Sequence, residues 1–286
     1  MALRILIPKG RIYNNIAALF NDAGFQISLT DRTYRPRVSA DWIDAKIMKP
    51  QNVGDLLELG SHDAGFTGAD WIEESGADVE TILDLGFDKV RIVAAIPAEC
   101  DLETLHKKHI VAATEYVNIA RNYLHSKNYD FKIVRTYGAT EVFPPDDADM
   151  IIDNTSTGQT LHDNGLVIID TLLHSSTLFV ASKEAMRSHE KRGRIEELAM
   201  LFKAVLDARE RTMLEMNVNE DNYKALVAAL PAMRSPTVSP LYNNGKENGY
   251  AIKIAIKRNE VSALIPRLKQ LGAADIVEYD LRKVMP

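Results

Sequence analysis

The sequence predicts an α/β protein with two lobes and a smaller domain after them. Three observations support this prediction. Short apolar runs of strand length alternate with amphipathic helical segments over most of the chain. A strand in residues 90–96 carries the chain into a second lobe, and later strands return it to the first. After residue 213 the pattern changes to four strands and two helices.

The predicted first lobe contains residues 1–90 and 180–213. Its strands alternate with helices, as in open α/β sheets. In chain order we predict a strand at 3–7, a helix with Ile12, Ile16, Leu19 and Phe20 on one face that Gly24 ends, a strand at 45–48, a helix capped by Asn52, a strand ending in Thr67-Gly68-Ala69-Asp70, and a long helix at 195–213.

The predicted second lobe contains residues 91–179. Its segments are strands at 90–96, 109–113, 131–134, 150–152 and 167–169, with a helix at 118–124 and a strand at 177–181 that returns to the first lobe. Two α/β lobes joined by a double crossing describe a periplasmic-binding-protein type of architecture. Such proteins bind their ligand in the cleft between the lobes.

The last domain is predicted from residues 214–286. Its segments are a strand at 216–218, a helix with Leu226, Val227 and Leu230, strands at 237–241 and 250–256, a helix at 261–271 stopped by Gly272, and a strand at 276–279. The order β-α-β-β-α-β is the ferredoxin-like arrangement. Small domains of this type often bind amino acids or mediate assembly, and the fold alone indicates neither.

Composition excludes several classes of function. The 286 residues are 46% hydrophobic and 26% charged, as in ordinary soluble proteins, and the net charge of −6 argues against a nucleic-acid or anionic-membrane surface. The single cysteine, Cys100, rules out an internal disulfide and a Cys-rich zinc site. No segment approaches the roughly 20 apolar residues that span a bilayer. We therefore predict a cytoplasmic protein that binds neither nucleic acid nor membrane.

The stretch from Asp149 to Leu161 is the strongest candidate for a ligand site. A short apolar strand stops at Asp153, and small hydroxyl residues and Gly158 lead into a short helix. Backbone N–H groups at a helix start bind anions, and glycine allows close approach of a ligand. A carboxylate suits ribose hydroxyls or magnesium. The pattern favours a sugar-phosphate cradle, although a solvated turn with a helix cap has the same pattern.

Other turns carry candidate residues of lower specificity. Lys9 and Arg11 lie on the first strand-to-helix turn, where open α/β sheets bind ligands, but a solvated turn is an equal alternative. Residues 31–37 contain three arginines that either form a solvated loop or reach a phosphate-rich ligand. Asp70 ends a Thr-Gly-x-Asp segment as a site carboxylate or as a helix cap. A Walker P-loop and a Gly-x-Gly-x-x-Gly motif are absent from the sequence.

Three of these segments together resemble one enzyme family. Ser-Thr-Gly-Gln-Thr-Leu-His-Asp-Asn-Gly-Leu at 156–166 resembles the phosphoribosyl-pyrophosphate loop of the ATP phosphoribosyltransferases, the first enzymes of histidine biosynthesis. Residues 63–70 match the family's Asp-x-Gly-x-Thr-Gly-x-Asp segment, and 235–241 resemble the regulatory domain of its long form. The resemblance implies that N1 of the ATP adenine attacks C1 of phosphoribosyl pyrophosphate and releases pyrophosphate. It also implies feedback inhibition by histidine.

The resemblance also suggests roles for individual residues. Lys9, Arg11, Asp70 and Glu141 would contact ATP or pyrophosphate, while Asp153, Thr155, Ser156, Thr157, Gly158, Gln159 and Thr160 would bind phosphoribosyl pyrophosphate. Asp153 and Glu141 would hold ribose hydroxyls directly or through Mg²⁺ brought by the substrate. Ser235 and Thr237 would contact the inhibitor histidine. We expect a homo-oligomer, as dimer and hexamer.

The sequence leaves two alternatives to this function open. The same two-lobe fold serves non-enzymatic small-molecule binders, but these do not need Lys9, Arg11, Glu141 and Asp153 together. Nucleotide-salvage phosphoribosyltransferases typically have two adjacent acidic residues before the loop, whereas Asp153 is followed here by Asn154. Asn154 is itself a departure, because the family usually has an aliphatic residue there. No nucleophilic dyad or metal-ligand histidine spacing is evident, and attack by a ring nitrogen needs neither.

Overall fold

The computed structural model describes residues 2–28, 34–231, 233, 235–243 and 246–285. These residues divide into two compact units. The first contains the chain through Ala199 apart from Asp22–Gly24, and the second contains those three residues and the chain from Met200 onward. Among the described residues, no helix is both long and apolar enough to cross a bilayer.

The elements alternate between strands and helices through both units. The strands are β1 Leu3–Pro8, β2 Ile27–Ser28, β3 Arg37–Val38, β4 Ile43–Met48, β5 Ala64–Gly68, β6 Val79–Asp84, β7 Val90–Pro97, β8 His109–Thr114, β9 Asp130–Arg135, β10 Met150–Thr155, β11 Leu166–Ser175, β12 Thr177–Ser182, β13 Arg211–Val218, β14 Thr237–Asn243, β15 Lys246–Lys257 and β16 Ala274–Asp280. The helices are α1 Arg11–Ala23, α2 Val53–Glu58, α3 Ala69–Ser75, α4 Leu102–Leu105, α5 Val117–Ser126, α6 Gln159–Asp163, α7 Lys183–Arg187, α8 His189–Arg209, α9 Glu220–Ala228 and α10 Val261–Gln270.

The first unit contains two five-stranded sheets, which confirms the predicted two-lobe, periplasmic-binding-protein-like fold. The first sheet has the order β4-β1-β5-β12-β6 and the second has the order β11-β7-β10-β8-β9. The chain crosses from the first sheet to the second between β6 and β7, and it returns between β11 and β12. The chain returns at Ser176, a few residues before the predicted boundary at 179. All of β12 therefore lies in the first sheet.

The second sheet is buried on both faces near its centre. Residues 150–152 of β10 are all buried, because Ile152 packs with Ile92 and Ala94 on one face while Ile151 packs with Val93 on the other. A strand covered on both faces reads as a continuous apolar run, which explains the sequence pattern. The strand does not stop at Asp153, as predicted, but continues through Asn154 to Thr155 by pairing with β7.

The second unit confirms the ferredoxin-like prediction. Its sheet has the order β14-β15-β13-β16 with antiparallel neighbours throughout, and α9 and α10 supply buried Leu226, Leu264 and Leu268 to its core. The predicted helix at 195–213 is wrong at its end, because α8 stops at Arg209 and Met213 lies in β13. The division between the units also falls earlier than predicted, within α8 rather than after residue 213.

Candidate active site

The loop after β10 lies at the carboxyl edge of the second sheet. β10 runs parallel to β8, with Ile152 opposite Thr114, so the residues that follow both strands meet at one edge. Asp153 and Glu115 are therefore neighbours, although they are far apart in sequence. Carboxyl edges of parallel strands are where open α/β folds bind ligands.

Hydrogen bonds within the loop fix its conformation. Gly158 has a φ of +86° and donates its N–H to Thr155 Oγ1 at 2.9 Å, and Gln159 donates its N–H to Thr157 Oγ1 at 3.3 Å. Within the described parts of the chain, the N–H groups of Ser156 and Thr157 have no hydrogen-bond acceptor. These two N–H groups and the exposed hydroxyls are free to contact an anion, whereas α6 is too short for its dipole to add much.

One cavity brings most of the predicted binding residues together. It has a volume of about 460 Å³ and is lined by Asp153, Thr155, Ser156, Thr157 and Thr160 of the loop, by Glu141 and by Glu115. Gly158 and Gln159 lie beside it, and the Gln159 amide instead donates to Asp163 Oδ1 at 2.6 Å. The cavity therefore joins anion-binding donors to three carboxylates.

Burial and neighbouring charge change the acidity of Asp153. Burial, and after it the charges of Glu115 and Glu141, raise the pKa of this carboxyl, while hydrogen bonds from Thr140 and from the Asn154 N–H lower it. The net result is a pKa of about 6. Within the described residues no cluster of three or more Asp, Glu, His or Cys side chains has the geometry of a metal site. Asp153 and Glu141 can thus support a cation that a substrate carries, but not bind one strongly by themselves.

A chain of hydrogen bonds connects this loop to the first lobe. Asn154 Nδ2 donates to Asp153 Oδ1 at 3.2 Å and to the Tyr116 hydroxyl at 3.1 Å. The Tyr116 hydroxyl donates to Asp70 Oδ2 at 2.7 Å, and Ser175 Oγ donates to Asp70 Oδ1 at 2.5 Å. Asn154, at a position that is usually aliphatic in the family, therefore holds Tyr116, and the bonds from Tyr116 and Ser175 to Asp70 connect the two lobes.

Helix α3 carries further contacts across the cleft. Trp71 stacks on Tyr116 with ring centroids 4.5 Å apart. The Glu74 carboxylate accepts the N–H groups of Asn118 at 2.9 Å and Ile119 at 3.0 Å, at the start of α5. An acidic side chain at a helix N-terminus is stabilising, so α3 of the first lobe caps a helix of the second.

Comparisons with known proteins decide the family. The ATP phosphoribosyltransferase family profile matches residues 49–204, and the profile for the C-terminal domain of the same family matches residues 208–283. This chain belongs to the ATP phosphoribosyltransferase family. It carries the C-terminal domain of the long form.

Individual relatives agree with that assignment. An ATP phosphoribosyltransferase from Chlorobium phaeovibrioides is 39% identical, over 99% of this chain and 97% of the relative. An ATP phosphoribosyltransferase from Thermodesulfovibrio yellowstonii is 37% identical, over 99% of this chain and 98% of the relative. The solved ATP phosphoribosyl transferase (HisG:HisZ) complex from Thermotoga maritima has a TM-score of 0.63, 24% identity, and covers 70% of this chain and 98% of its own. At that identity the structure supports the fold alone.

Not every residue expected from the ATP phosphoribosyltransferase resemblance lies at the cavity. Asp70 does not line this cavity, since it is only 4% exposed and both its oxygens accept hydrogen bonds that connect elements. It lies at the wall of a smaller cavity of about 260 Å³ that adjoins the first. It is also not a helix cap. A Cβ at Gly68 would lie 2.0 Å from Asp70 Oδ1, which explains why the family's Thr-Gly-x-Asp segment needs its glycine here.

Of the two predicted cations, Lys9 does not line the cavity. Lys9 Nζ contacts the Tyr34 hydroxyl at 3.2 Å and lies over that ring, and the Arg11 side chain is outside the described residues. Of the arginine-rich segment, residues 31–33 are also outside them, and Arg35 forms an ion pair with Asp44 at 2.8 Å. In the second unit, Ser235 and Thr237 are exposed at the start of β14.

One predicted helix cap is wrong, and several residues near the site were not predicted. Asn52 makes no cap with its side chain, because a short 3₁₀ turn at Pro50–Asn52 precedes α2. Glu115, Tyr116 and Ser175 were missed. The only sequence signal for Glu115 was its place directly after a strand, next to the strand that carries Asp153.

Proposed function

We propose that this chain transfers the phosphoribosyl group of phosphoribosyl pyrophosphate to N1 of the ATP adenine and releases pyrophosphate, the first step of histidine biosynthesis. The observation that carries the proposal is the cavity in which the Thr155–Thr160 loop faces Asp153 and Glu141. This arrangement provides donors for a phosphate and acceptors for ribose hydroxyls in one space. Membership of the family supports the choice of substrates.

The loop suits the 5′-phosphate of the sugar. The free N–H groups of Ser156 and Thr157 and the hydroxyls of Ser156, Thr157 and Thr160 line the cavity. Charge-assisted hydrogen bonds from such donors fix the sugar in one orientation. Fixing both reactants in this way converts a bimolecular attack into an oriented one, which is a large part of the catalysis expected.

The carboxylates suit the reacting end of the sugar. As pyrophosphate leaves, positive charge develops at C1 and on the ring oxygen, and the fixed negative charges of Asp153 and Glu141 favour that state more than the ground state. Both are also able to accept ribose hydroxyls. ATP enters from the adjacent cavity of about 260 Å³, which shares Glu115 and Asn154 with the first.

Acid pH is expected to suppress the reaction through Asp153. The raised pKa of about 6 means that its carboxylate is neutralised as the pH falls below that value, so kcat/KM should drop about tenfold per unit below pH 6. A pH–rate profile between pH 5 and 8 measures this. The phosphate monoester of the substrate also ionises near pH 6, so a fall in rate there does not by itself identify Asp153. The variant Glu115→Gln distinguishes the two groups. Removal of its charge should move the acidic limb to lower pH, and an unmoved limb contradicts the assignment.

A divalent cation, most simply Mg²⁺, is expected to be required with the substrate. Asp153 and Glu141 would support Mg²⁺ that arrives with the substrate, and the ion would supply positive charge against the departing pyrophosphate. Because those two carboxylates form no complete cage, calorimetry should detect no Mg²⁺ binding below millimolar concentration without phosphoribosyl pyrophosphate, and tighter binding with it. Full activity after exhaustive chelation would refute the requirement.

The reaction is tested by pyrophosphate release. With phosphoribosyl pyrophosphate and Mg²⁺, ATP should give turnover, and adenine, guanine, hypoxanthine and uracil should give none. Turnover with a free base would favour a nucleotide-salvage enzyme. Tight binding of a ligand with no turnover on any acceptor would favour a non-enzymatic binder.

We propose that the C-terminal unit mediates histidine inhibition and homo-oligomer formation as dimer and hexamer. Its sheet has edge strands β14 and β16, and β16 exposes Val277 and Tyr279, which suits pairing with another copy. Histidine bound near Ser235 and Thr237 would bias the assembly and so change the cavity of the Thr155–Thr160 loop.

Removal of this unit is expected to abolish inhibition by histidine. Because β13 begins at Arg211, the chain should end at Arg209 and not near Met213, which would leave a fragment of the removed sheet. Activity with and without histidine is the measurement, and retained binding of phosphoribosyl pyrophosphate shows that the shortened chain is folded. In the full chain, Ser235→Ala with Thr237→Ala should weaken inhibition at least tenfold. A folded, shortened chain that stays equally sensitive would contradict the proposal.

A further inference from the structure

A second, basic cavity lies beside the loop. It has a volume of about 400 Å³ and is lined by Lys89, Arg91, His174 and Ser156, with Asp84 at its wall. It shares Val90 and Ser156 with the cavity that contains Asp153. The two cavities are therefore adjacent, and a ligand that contacts Ser156 is able to extend from one into the other.

The sheet register accounts for the position of these side chains. Arg91 on β7 lies directly opposite Thr155 on β10 and opposite His174 on β11. Residues directly opposite in antiparallel strands project from the same face. The centre of the cavity is thus set by three neighbouring strands, and Lys89 precedes β7 at the crossing between lobes.

The charges in this cavity are unpaired. In the described parts of the chain, Lys89 and Arg91 form no ion pair and no side-chain hydrogen bond. The one carboxylate, Asp84, already accepts Ser176 Oγ at 2.6 Å and the Gly86 N–H at 2.9 Å. Unpaired cations in a concave site attract anions, and an arginine fork matches phosphate geometry.

The two cavities that share Val90 with this one lack such charges. The cavities that contain Asp153 and Asp70 have no lysine or arginine among their lining residues in the described chain, whereas Glu115, Glu141 and Asp153 are negative. A polyphosphate is repelled by these carboxylates unless cations lie nearby. Lys89 and Arg91 line the cavity that shares Ser156 with the loop, while Lys9 contacts Tyr34. Arg121 and Arg135 line another cavity, which meets the loop cavity at Glu115 and not at the loop itself.

We propose that the Lys89–Arg91–His174 cavity binds the di- or triphosphate chain of a substrate, next to the sugar held by the loop. The proposal rests on the proposed function. It assigns the phosphate chain to residues other than Lys9 and Arg11. Two groups have such a phosphate chain, the pyrophosphate of phosphoribosyl pyrophosphate and the triphosphate of ATP.

Calorimetry on the full chain with Mg²⁺ tests the proposal, with pyrophosphate, ribose 5-phosphate and ATP as separate probes. Arg91→Ala and Lys89→Ala should each weaken pyrophosphate or ATP binding at least tenfold, and Arg91→Lys should weaken it less. Ribose 5-phosphate, which lacks a phosphate chain, should bind all variants within twofold of the unaltered chain. Lys132→Ala, an exposed lysine on β9 of the same sheet, is the matched control.

The probes separate the outcomes. If Arg91→Ala and Lys89→Ala weaken the binding of pyrophosphate, the cavity holds the leaving group. If they weaken the binding of ATP alone, it holds the triphosphate. Unchanged affinity for both in Arg91→Ala and Lys89→Ala overturns the proposal, and so does equal weakening by Lys132→Ala. Failure of the unaltered chain to bind ribose 5-phosphate would instead count against the proposed function.

Discussion

Replacement of Asp153 with alanine is expected to lower kcat/KM at least a hundredfold while the fold stays intact. The side chain lies at the cavity with Glu141 and the loop donors, and the substitution removes the charge that we propose faces C1 of the sugar. Charge-assisted hydrogen bonds contribute about 1.5–3 kcal/mol each, so loss of one or two gives this factor. Steady-state kinetics and calorimetry with phosphoribosyl pyrophosphate measure it. Asp147→Ala, at an exposed carboxylate of the same segment, should have no effect.

Gly158→Val tests the same loop through its backbone. Gly158 has a φ of +86°, where a β-branched residue is strained by roughly 1–2 kcal/mol, and its Cβ would also meet Ile168 Cδ1 at 3.4 Å. The turn is expected to shift and misplace the Ser156 and Thr157 N–H groups, with at least a tenfold loss of binding. Gly165→Val is the control, because Gly165 has a φ of +69° with open space around it. Unchanged binding in both Asp153→Ala and Gly158→Val would refute the loop assignment.

Asp63→Ala is expected to be the most destabilising substitution outside the cavity. Asp63 is 2% exposed and accepts hydrogen bonds from Arg4 N at 2.8 Å, from Arg4 Nη2 at 2.9 Å and from Lys191 Nζ at 2.8 Å. Lys191 is itself only 14% exposed. Removal of one partner of a buried ion pair costs about 3–5 kcal/mol, because the other charge stays buried. Urea unfolding measures the change, and a loss below about 1 kcal/mol would contradict it.

Two further measurements separate the ion pair from general packing. Asp63→Ala combined with Lys191→Met should recover part of the stability, since no unpaired cation remains. Burial raises the pKa of Asp63, but hydrogen bonds from Arg4 and Lys191 lower it more, so the net pKa is below the ordinary value. Its contribution is therefore present above the unfolded pKa, near 4, and is lost as the pH falls through the folded pKa. Asp63→Ala should flatten this part of the acid-stability curve.

Local patterns in the sequence were enough to predict most strands and helices and the Thr155–Thr160 loop. The apolar run before Asp153 and the Ser-Thr-Gly sequence after it depend on near neighbours only, and the structure has a strand, turn and helix there. The end of α8 was missed because the apolar periodicity continues into β13, and an alternating strand adjoining a helix gives no break in composition. Arg209 and Arg211 are separated only by Glu210, and they differ in state because Arg211 pairs with Lys257 of β15.

Contacts between distant parts of the chain could not be predicted in this way. Asp70 was expected at a ligand because a carboxylate at a strand end is common there, but its partners Tyr116 and Ser175 come from other elements. Glu115 is at the cavity only because β8 and β10 are parallel neighbours. The chemistry of such residues depends on sheet order, and the sequence pattern contains no information on sheet order beyond the family resemblance.

The contacts of α3 with Tyr116 and α5 have a consequence for the kinetics of substrate entry. They hold the two lobes together, and opening the cleft would exchange the Asp70–Tyr116 and Glu74–Asn118 hydrogen bonds for bonds to water. At about 0.5–1.5 kcal/mol for each such bond, the open state is a minor population, on the order of a few per cent. Substrate that needs the open state binds with an apparent affinity reduced by that fraction. Tyr116→Phe, which removes one of these bonds, should therefore speed both association and release.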